Sequence, residues 1–189
     1  MPRLFIGWEL PEDVRREVGA AVEPLRRKLP DASWVRPETY HLTFAFLGDQ
    51  PESAVTRIGG WLDASFRDFA RTEVRVTRPG FFPSAKRPRV GWLAVEPEEA
   101  LVEVGERVRE AMTKLELELD GKSFRPHLTL VRTRKGWRER DARSMLEVLA
   151  EFRSGPASFD RVSLFGSELT PRGAIHNALH TVGFVSATR

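Results

Sequence analysis

The chain has 189 residues, 41% of them hydrophobic and 30% charged, with a formal net charge of +3. That balance describes a globular protein of one domain or two small joined lobes, long enough to bury a sizeable core. No cysteine is present, which excludes disulfides and thiolate metal sites, while the lack of a bilayer-length apolar run and of a signal-peptide pattern makes a monomer in a reducing cytoplasm, away from membranes, the expectation.

Arg3–Leu10 reads as a first strand. Pro11-Glu12-Asp13 opens a helix, because proline and acids suit the first turn, and Val14, Val18, Val22 and Leu25 form its apolar stripe. Pro30-Asp31 ends it. Ser33–Arg36 reads as a short strand, Pro37-Glu38-Thr39 as a turn, and Tyr40–Leu47 as a strand closed by Gly48-Asp49. Pro51–Ala70 is a second helix carrying Val55, Ile58, Trp61, Leu62 and Phe66, weakened by Gly59-Gly60. Glu73–Arg78 alternates as a strand, Pro79–Arg87 is Pro- and Gly-rich and reads as a loop, and Pro88–Val95 is the next strand. Glu98–Leu117 is a third helix on Leu101, Val104, Val108, Met112 and Leu115. Asp120-Gly121 turns the chain into the strand Phe124–Arg132. Arg134–Arg140 reads as a basic loop, and Arg140–Phe152 as a fourth helix on Met145, Leu146, Val148 and Leu149. Ser158–Phe165 and Ala174–Phe184 are the last strands, joined by a turn at Thr170–Gly173. Strand-helix-strand-helix-strand followed by a similar second pass predicts an α+β fold, with two lobes related by an approximate two-fold.

One pattern recurs. His41-Leu42-Thr43-Phe44 is matched, 86 residues on, by His127-Leu128-Thr129-Leu130. In a strand, residues i and i+2 share a face. Each histidine therefore sits beside a threonine, over a leucine anchor on the opposite face. The two copies use two of only four histidines in the chain. Two such strands lining one cleft would bring two imidazoles together. One ring can accept a proton while the other donates one, and the hydroxyls can hydrogen-bond a phosphoryl group. Hydrolysis of a phosphodiester without a metal needs this set. The cations add to it: of 30, only Lys28, Lys86, Lys114, Lys122 and Lys135 are lysine, and guanidinium suits bidentate phosphate recognition.

The ordered motifs resemble the 2H phosphoesterase superfamily, specifically its LigT-like branch. Trp34-Val35-Arg36-Pro37 leading to His41–Gly48 resembles the first motif region. Phe81 and Pro83 followed by Arg87-Pro88-Arg89-Val90 and Trp92 resemble the central loop and strand. Phe124–Arg132 resembles the second motif, and Ser167–Gly173 the C-terminal signature. The resemblance implies a bilobal fold whose antiparallel sheets line a central cleft, with helices outside. It implies an RNA 2′,3′-cyclic phosphodiesterase that leaves a 2′-phosphate, with reversible 2′–5′ ligation as a further activity and no nucleotide cofactor. Its substrate would be RNA ending in a 2′,3′-cyclic phosphate, tRNA fragments among the candidates. His41 would be the proton donor to the departing 3′ oxygen and His127 the acceptor that activates water. Thr43, Thr129 and Arg132 would hold the phosphate. The near-symmetry of the motifs does not by itself assign acid and base.

Where the family often carries tyrosine after its C-terminal signature, this chain has His176. Lys86, Arg87, Arg125, Trp137 and His176 are candidate RNA contacts, with Arg89, Arg134, Lys135 and Arg138 completing two basic clusters and the Phe81-Phe82 pair a second candidate for base stacking. His176 and His180 are spaced i, i+4, but on a strand and without acidic partners no metal site is expected. Phosphoester hydrolysis on a small cyclic phosphate, such as ADP-ribose 1″,2″-cyclic phosphate, and non-catalytic RNA-end binding stay open as other readings.

Overall fold

The two histidine motifs open two strands that meet at the middle of one sheet. The computed structural model describes residues 1–29, 32–117, 124–133, 137–170 and 173–186. Its elements, in chain order, are β1 (Arg3–Glu9), α1 (Glu12–Lys28), β2 (Ala32–Trp34), a 3-10 turn (Pro37–Thr39), β3 (His41–Asp49), α2 (Glu52–Phe66), β4 (Thr72–Ser84), β5 (Arg87–Glu96), α3 (Glu98–Lys114), β6 (His127–Thr133), α4 (Glu139–Val148), β7 (Ala157–Phe159), β8 (Arg161–Thr170) and β9 (Gly173–Gly183). The sheet order is β7-β4-β5-β6-β3-β1-β8-β9, with β2 paired to β6. Every one of these pairings is antiparallel.

The order contains the internal two-fold. Exchanging β3 with β6, β1 with β5, and β8 with β4 reverses the run β4-β5-β6-β3-β1-β8 onto itself. The axis falls at the β3–β6 contact, where Leu42 stands opposite Leu128. Both leucines are fully buried. A late strand of each half pairs with the other half's first strand: β4 pairs β5, and β8 pairs β1. The repeats are thereby interlocked.

Helix formation follows the apolar stripes. Val14, Val18, Val22 and Leu25 of α1 are all buried, with Glu12 and Asp13 in its first turn and Arg26, Arg27 and Lys28 in its last, which complements the helix dipole. Leu101, Val104, Val108 and Met112 are the buried stripe of α3. The Gly59-Gly60 pair does not interrupt α2. Gly59 makes room instead: a Cβ there would stand 3.0 Å from the His180 ring on β9.

Several boundaries differ from the sequence expectation. The Pro79–Arg87 segment is a hairpin, not a loop, because β4 runs to Ser84 and β5 starts at Arg87. Its prolines are tolerated because the ladder shifts register between Val76 and Pro79 and between Phe82 and Pro83, where no regular backbone donor is needed. The expected strand Ser158–Phe165 is two strands that go to opposite sides of the sheet, β7 to β4 and β8 to β1. Val148, read as core, is 51% exposed on α4. The expected turn at Asp120-Gly121 and the middle of the turn at Pro171-Arg172 lie outside the described residues, as do Lys122, Arg134 and Lys135.

Two irregularities matter for function. Opposite β1, Ile6 pairs with Ala45 but Gly7 pairs with Thr43, so Phe44 is an extra residue in the ladder. Opposite β5, Gly91 pairs with Val131 but Trp92 pairs with Thr129, so Leu130 is extra in the same way. Each bulge comes three residues after its histidine and shifts the face alternation by one. Phe44 and Ala45 are both buried, as are Leu130 and Val131. Phe46 and Arg132 consequently return to the face of His41-Thr43 and His127-Thr129, at equivalent places in the two halves.

Candidate active site

His41 follows the 3-10 turn after Tyr40, and its Nδ1 lies 2.8 Å from the carbonyl of Thr39. His127 follows Pro126, and its Nδ1 lies 2.7 Å from the carbonyl of Arg125. A carbonyl only accepts, so Nδ1–H donates in both rings and Nε2 is left with the lone pair in the neutral form. The same device, a carbonyl two residues upstream, holds both imidazoles. Carrying the Leu42–Leu128 register one residue each way sets His41 across from Thr129, and Thr43 across from His127. The two histidines are diagonal neighbours, which in an antiparallel pair stand about 7–8 Å apart, room for one phosphoryl group between them.

The rings are backed by aromatics. His41 packs on Phe5 and edge-on against His176, both with centroids 4.9 Å away. His127 packs edge-on against Phe82 at 5.0 Å, with Trp92 at 6.3 Å. The Arg125 guanidinium caps this second wall, 5.8 Å from Phe82 and 6.0 Å from Trp92.

His41, Thr43, His127, Thr129 and Arg132 line a single cavity of ≈ 640 Å³, together with Phe46, Phe82, Arg89, Arg109, Phe124 and Arg125. Four arginines line it, and among the described residues no carboxylate does. Burial pushes the His41 imidazole down to about 4; the Thr39 carbonyl opposes this, and the nearby His176, Arg132 and His127 reinforce it. Burial likewise lowers His127, against its bond to the Arg125 carbonyl and with the help of Arg132 and Arg125. His176 is lowered chiefly by burial, with Glu9 opposing and Arg36 reinforcing. An anion entering this cavity would relieve the cationic part of these shifts.

The candidate contacts divide. Arg125 lies in the cavity wall. His176 touches His41 from behind and does not line the cavity. Lys86 is exposed in the turn between β4 and β5 and Arg87 is exposed where β5 begins, both outside the cavity wall. The Trp137 ring lies against Trp34 at 5.9 Å and Phe81 at 6.1 Å, partly buried on the core, and does not line the cavity. Phe81 is buried, whereas Phe82 reaches the cavity. His176 and His180 share β9 but serve different neighbours, since His180 Nε2 meets Asp63 Oδ1 on α2 at 2.9 Å. Arg109 and Phe5 are not legible in the sequence as site residues, because α3 and β1 reach the site only through the fold. Regular alternation misplaces Phe46, putting it on the Leu42 face.

The family model of the 2′-5′ RNA ligase superfamily matches residues 11–170, and the chain belongs to that family. It is 29% identical over 182 residues to an RNA 2′,3′-cyclic phosphodiesterase of Thermotoga maritima, covering 96% of this chain and 95% of that one. It is 30% identical over 177 residues to the protein of the same name from Methanothermobacter thermautotrophicus, covering 92% and 94%. Among solved structures, a Thermus thermophilus protein superposes with a TM-score of 0.78 at 26% identity, over 98% of this chain and 100% of that one. Escherichia coli LigT, complexed with 3′-AMP, superposes with a TM-score of 0.74 at 20% identity, over 98% and 99%, and so shares the fold. The expected LigT-like α+β architecture is the one observed. No helix among the described residues is long and apolar enough to cross a membrane.

Proposed function

We propose that this protein hydrolyses the 2′,3′-cyclic phosphate at an RNA end to a 2′-phosphate, by acid–base catalysis between His41 and His127. One observation carries the reading: two imidazoles, each held by an Nδ1–H bond to an upstream carbonyl, share a cavity with two threonines and four arginines. The names of the Thermotoga and Methanothermobacter relatives support the substrate.

The phosphate sits between the rings, its non-bridging oxygens taking hydrogen bonds from the Thr43 and Thr129 hydroxyls and charge from Arg132. His127 Nε2 takes a proton from water as the oxygen attacks phosphorus. The P–O3′ bond breaks, and protonated His41 gives its Nε2 proton to O3′. The products are a 2′-phosphate and a 3′ hydroxyl, with His127 left protonated and His41 neutral. Proton exchange with solvent restores the pair. The family resemblance gives His41 the acid role, and its lowered pKa makes its imidazolium a ready donor. With a 5′ hydroxyl attacking in place of water, the same displacement of O3′ leaves a 2′–5′ diester, which is ligation, and its reversal, with the two histidines exchanging roles, cleaves that linkage.

An oligomer ending in a 2′,3′-cyclic phosphate, incubated with EDTA, tests the reading. A 2′-phosphate product is expected at the rate seen without chelator. His41→Ala and His127→Ala should each lose about 10²–10⁴-fold in turnover while keeping the wild-type circular dichroism. Wild-type rates in both variants, or strict metal dependence, would overturn the mechanism.

A further inference from the structure

We infer that His176 is a positioning residue for His41: the two imidazoles, packed ring against ring, take up one proton between them and not two, so His41 holds its proton only while His176 is neutral. The inference rests on the phosphodiesterase reading above and deepens it, by naming what governs the charge of the acid.

Three rings close on one another at the start of β3. His41 lies 4.9 Å from Phe5 and 4.9 Å from His176, and Phe5 lies 5.0 Å from His176. Each ring therefore touches the other two. Phe5 is buried and stacked on Phe165 at 4.9 Å, which fixes the base of the triangle. His176 Nδ1 is buried and, among the described residues, has no hydrogen-bond partner. A phenyl ring would fill the same space without stranding a polar atom. An imidazole there is out of keeping with packing alone, and what it adds is a group that ionises near neutral pH.

A cation on either ring opposes a cation on the other, because like charges this close and partly shielded from water disfavour the doubly protonated pair. The surrounding charges distinguish the two rings. His176 faces Glu9 of β1, which favours its imidazolium, and Arg36 ahead of the 3-10 turn, which opposes it. Glu9 is itself paired with Arg15 at 2.5 Å, Arg36 reaches the Ala174 carbonyl at 3.3 Å, and β8 sets the neutral Ser167 across from His176. His41 faces Arg132 and His127 as well as His176. His41 lines the cavity and His176 does not, so an anion seated there favours the proton on the front ring over the back one. Phosphate entry thereby draws the charge onto the donor. Each ring exchanges its proton with solvent, so no direct transfer between them is required.

NMR of carbon-13-labelled imidazoles through an acid titration tests this in the free protein. In wild type, His41 and His176 should each show two inflections, because each ring senses the other's proton. His176→Phe and His176→Tyr keep a ring in place that stays uncharged over this range, and tyrosine is the residue the family often carries there. In both, His41 should titrate in a single step, displaced upward by roughly one pH unit. His180, held by Asp63, is the internal reference. Inorganic phosphate added to wild type should displace the His41 titration further than that of His176. A His41 titration that is unchanged or moved downward in the two variants overturns the inference, as does an equal response of both rings to phosphate. On an oligomer ending in a 2′,3′-cyclic phosphate, the falling limb of kcat/KM should move upward with the His41 titration in both variants, and a limb that stays in place overturns the role in the acid. If wild type turns over no such oligomer, the phosphodiesterase reading fails by itself, and the titrations still decide whether the two rings compete for one proton.

Discussion

The Nδ1–H bonds to the Thr39 and Arg125 carbonyls decide what the two imidazoles can do. They select the tautomer, leave Nε2 for chemistry, and keep the rings from turning. Burial and the neighbouring guanidinium groups then keep both histidines neutral in the free protein, His41 with a pKa of about 4 and His127 also below its ordinary value. In the proposed mechanism the acid must nevertheless be protonated, so kcat/KM, which reports the free enzyme, should fall as pH rises through the depressed pKa of the acid. A bound phosphodiester anion favours the imidazolium and moves that pKa upward. The falling limb of kcat should therefore lie at higher pH than that of kcat/KM. Full pH profiles of both constants check this, and coincident limbs would count against it. The histidines and their threonines are legible in the sequence, because chemistry and spacing mark them, and Arg132 is legible through the family resemblance alone. The places of Trp137 and Phe46 are not, since burial and facing are properties of the packed sheet.

At the scale of elements, the β3–β6 contact is the narrowest part of the ladder and the most consequential. Leu42 opposite Leu128 is its paired position, and both side chains are fully buried. Truncating either to alanine leaves a cavity on the two-fold axis and should cost about 2–5 kcal/mol. Val148→Ala, on the exposed side of α4, should change stability by less than about 0.5 kcal/mol. Urea unfolding of the three variants measures the contrast, and similar midpoints for all three would refute a structural role for the leucine pair. The hairpin of β4 and β5 shows why some elements escape the sequence. Composition makes Pro79–Arg87 look like a loop, but cross-strand pairing overrides it. It is this hairpin that delivers Phe82 and Arg89 to the cavity.

For the whole molecule, the modest net charge of +3 conceals a concentrated field. Arg89, Arg109, Arg125 and Arg132 converge on one cavity from three elements and one preceding segment, with no carboxylate in its wall among the described residues. One cyclic phosphate carries a single negative charge, so under the proposed function Arg89, Arg125 and Arg132 also attract upstream phosphates of an RNA chain. Affinity for an oligomer should fall with salt, the log–log slope steepening by roughly 0.7 for each phosphate neutralised. A mononucleotide 2′,3′-cyclic phosphate should show a shallower slope. Inhibition constants or KM values measured across a salt series test this, and identical slopes would mean that only the terminal phosphate is engaged.

By itself the sequence determined the chemistry on offer: two imidazole–hydroxyl pairs, an arginine after the second, four amphipathic helices and a repeated strand–helix order. These are local properties, carried by residue type and by the periods of 3.6 and 2. Only the tertiary structure decided which cations and aromatics join the histidines. The two halves place Phe46 and Arg132 alike because each strand carries an extra residue, three places after its histidine, against its neighbour. A bulge is a mismatch between two strands, so no reading of one strand alone contains it.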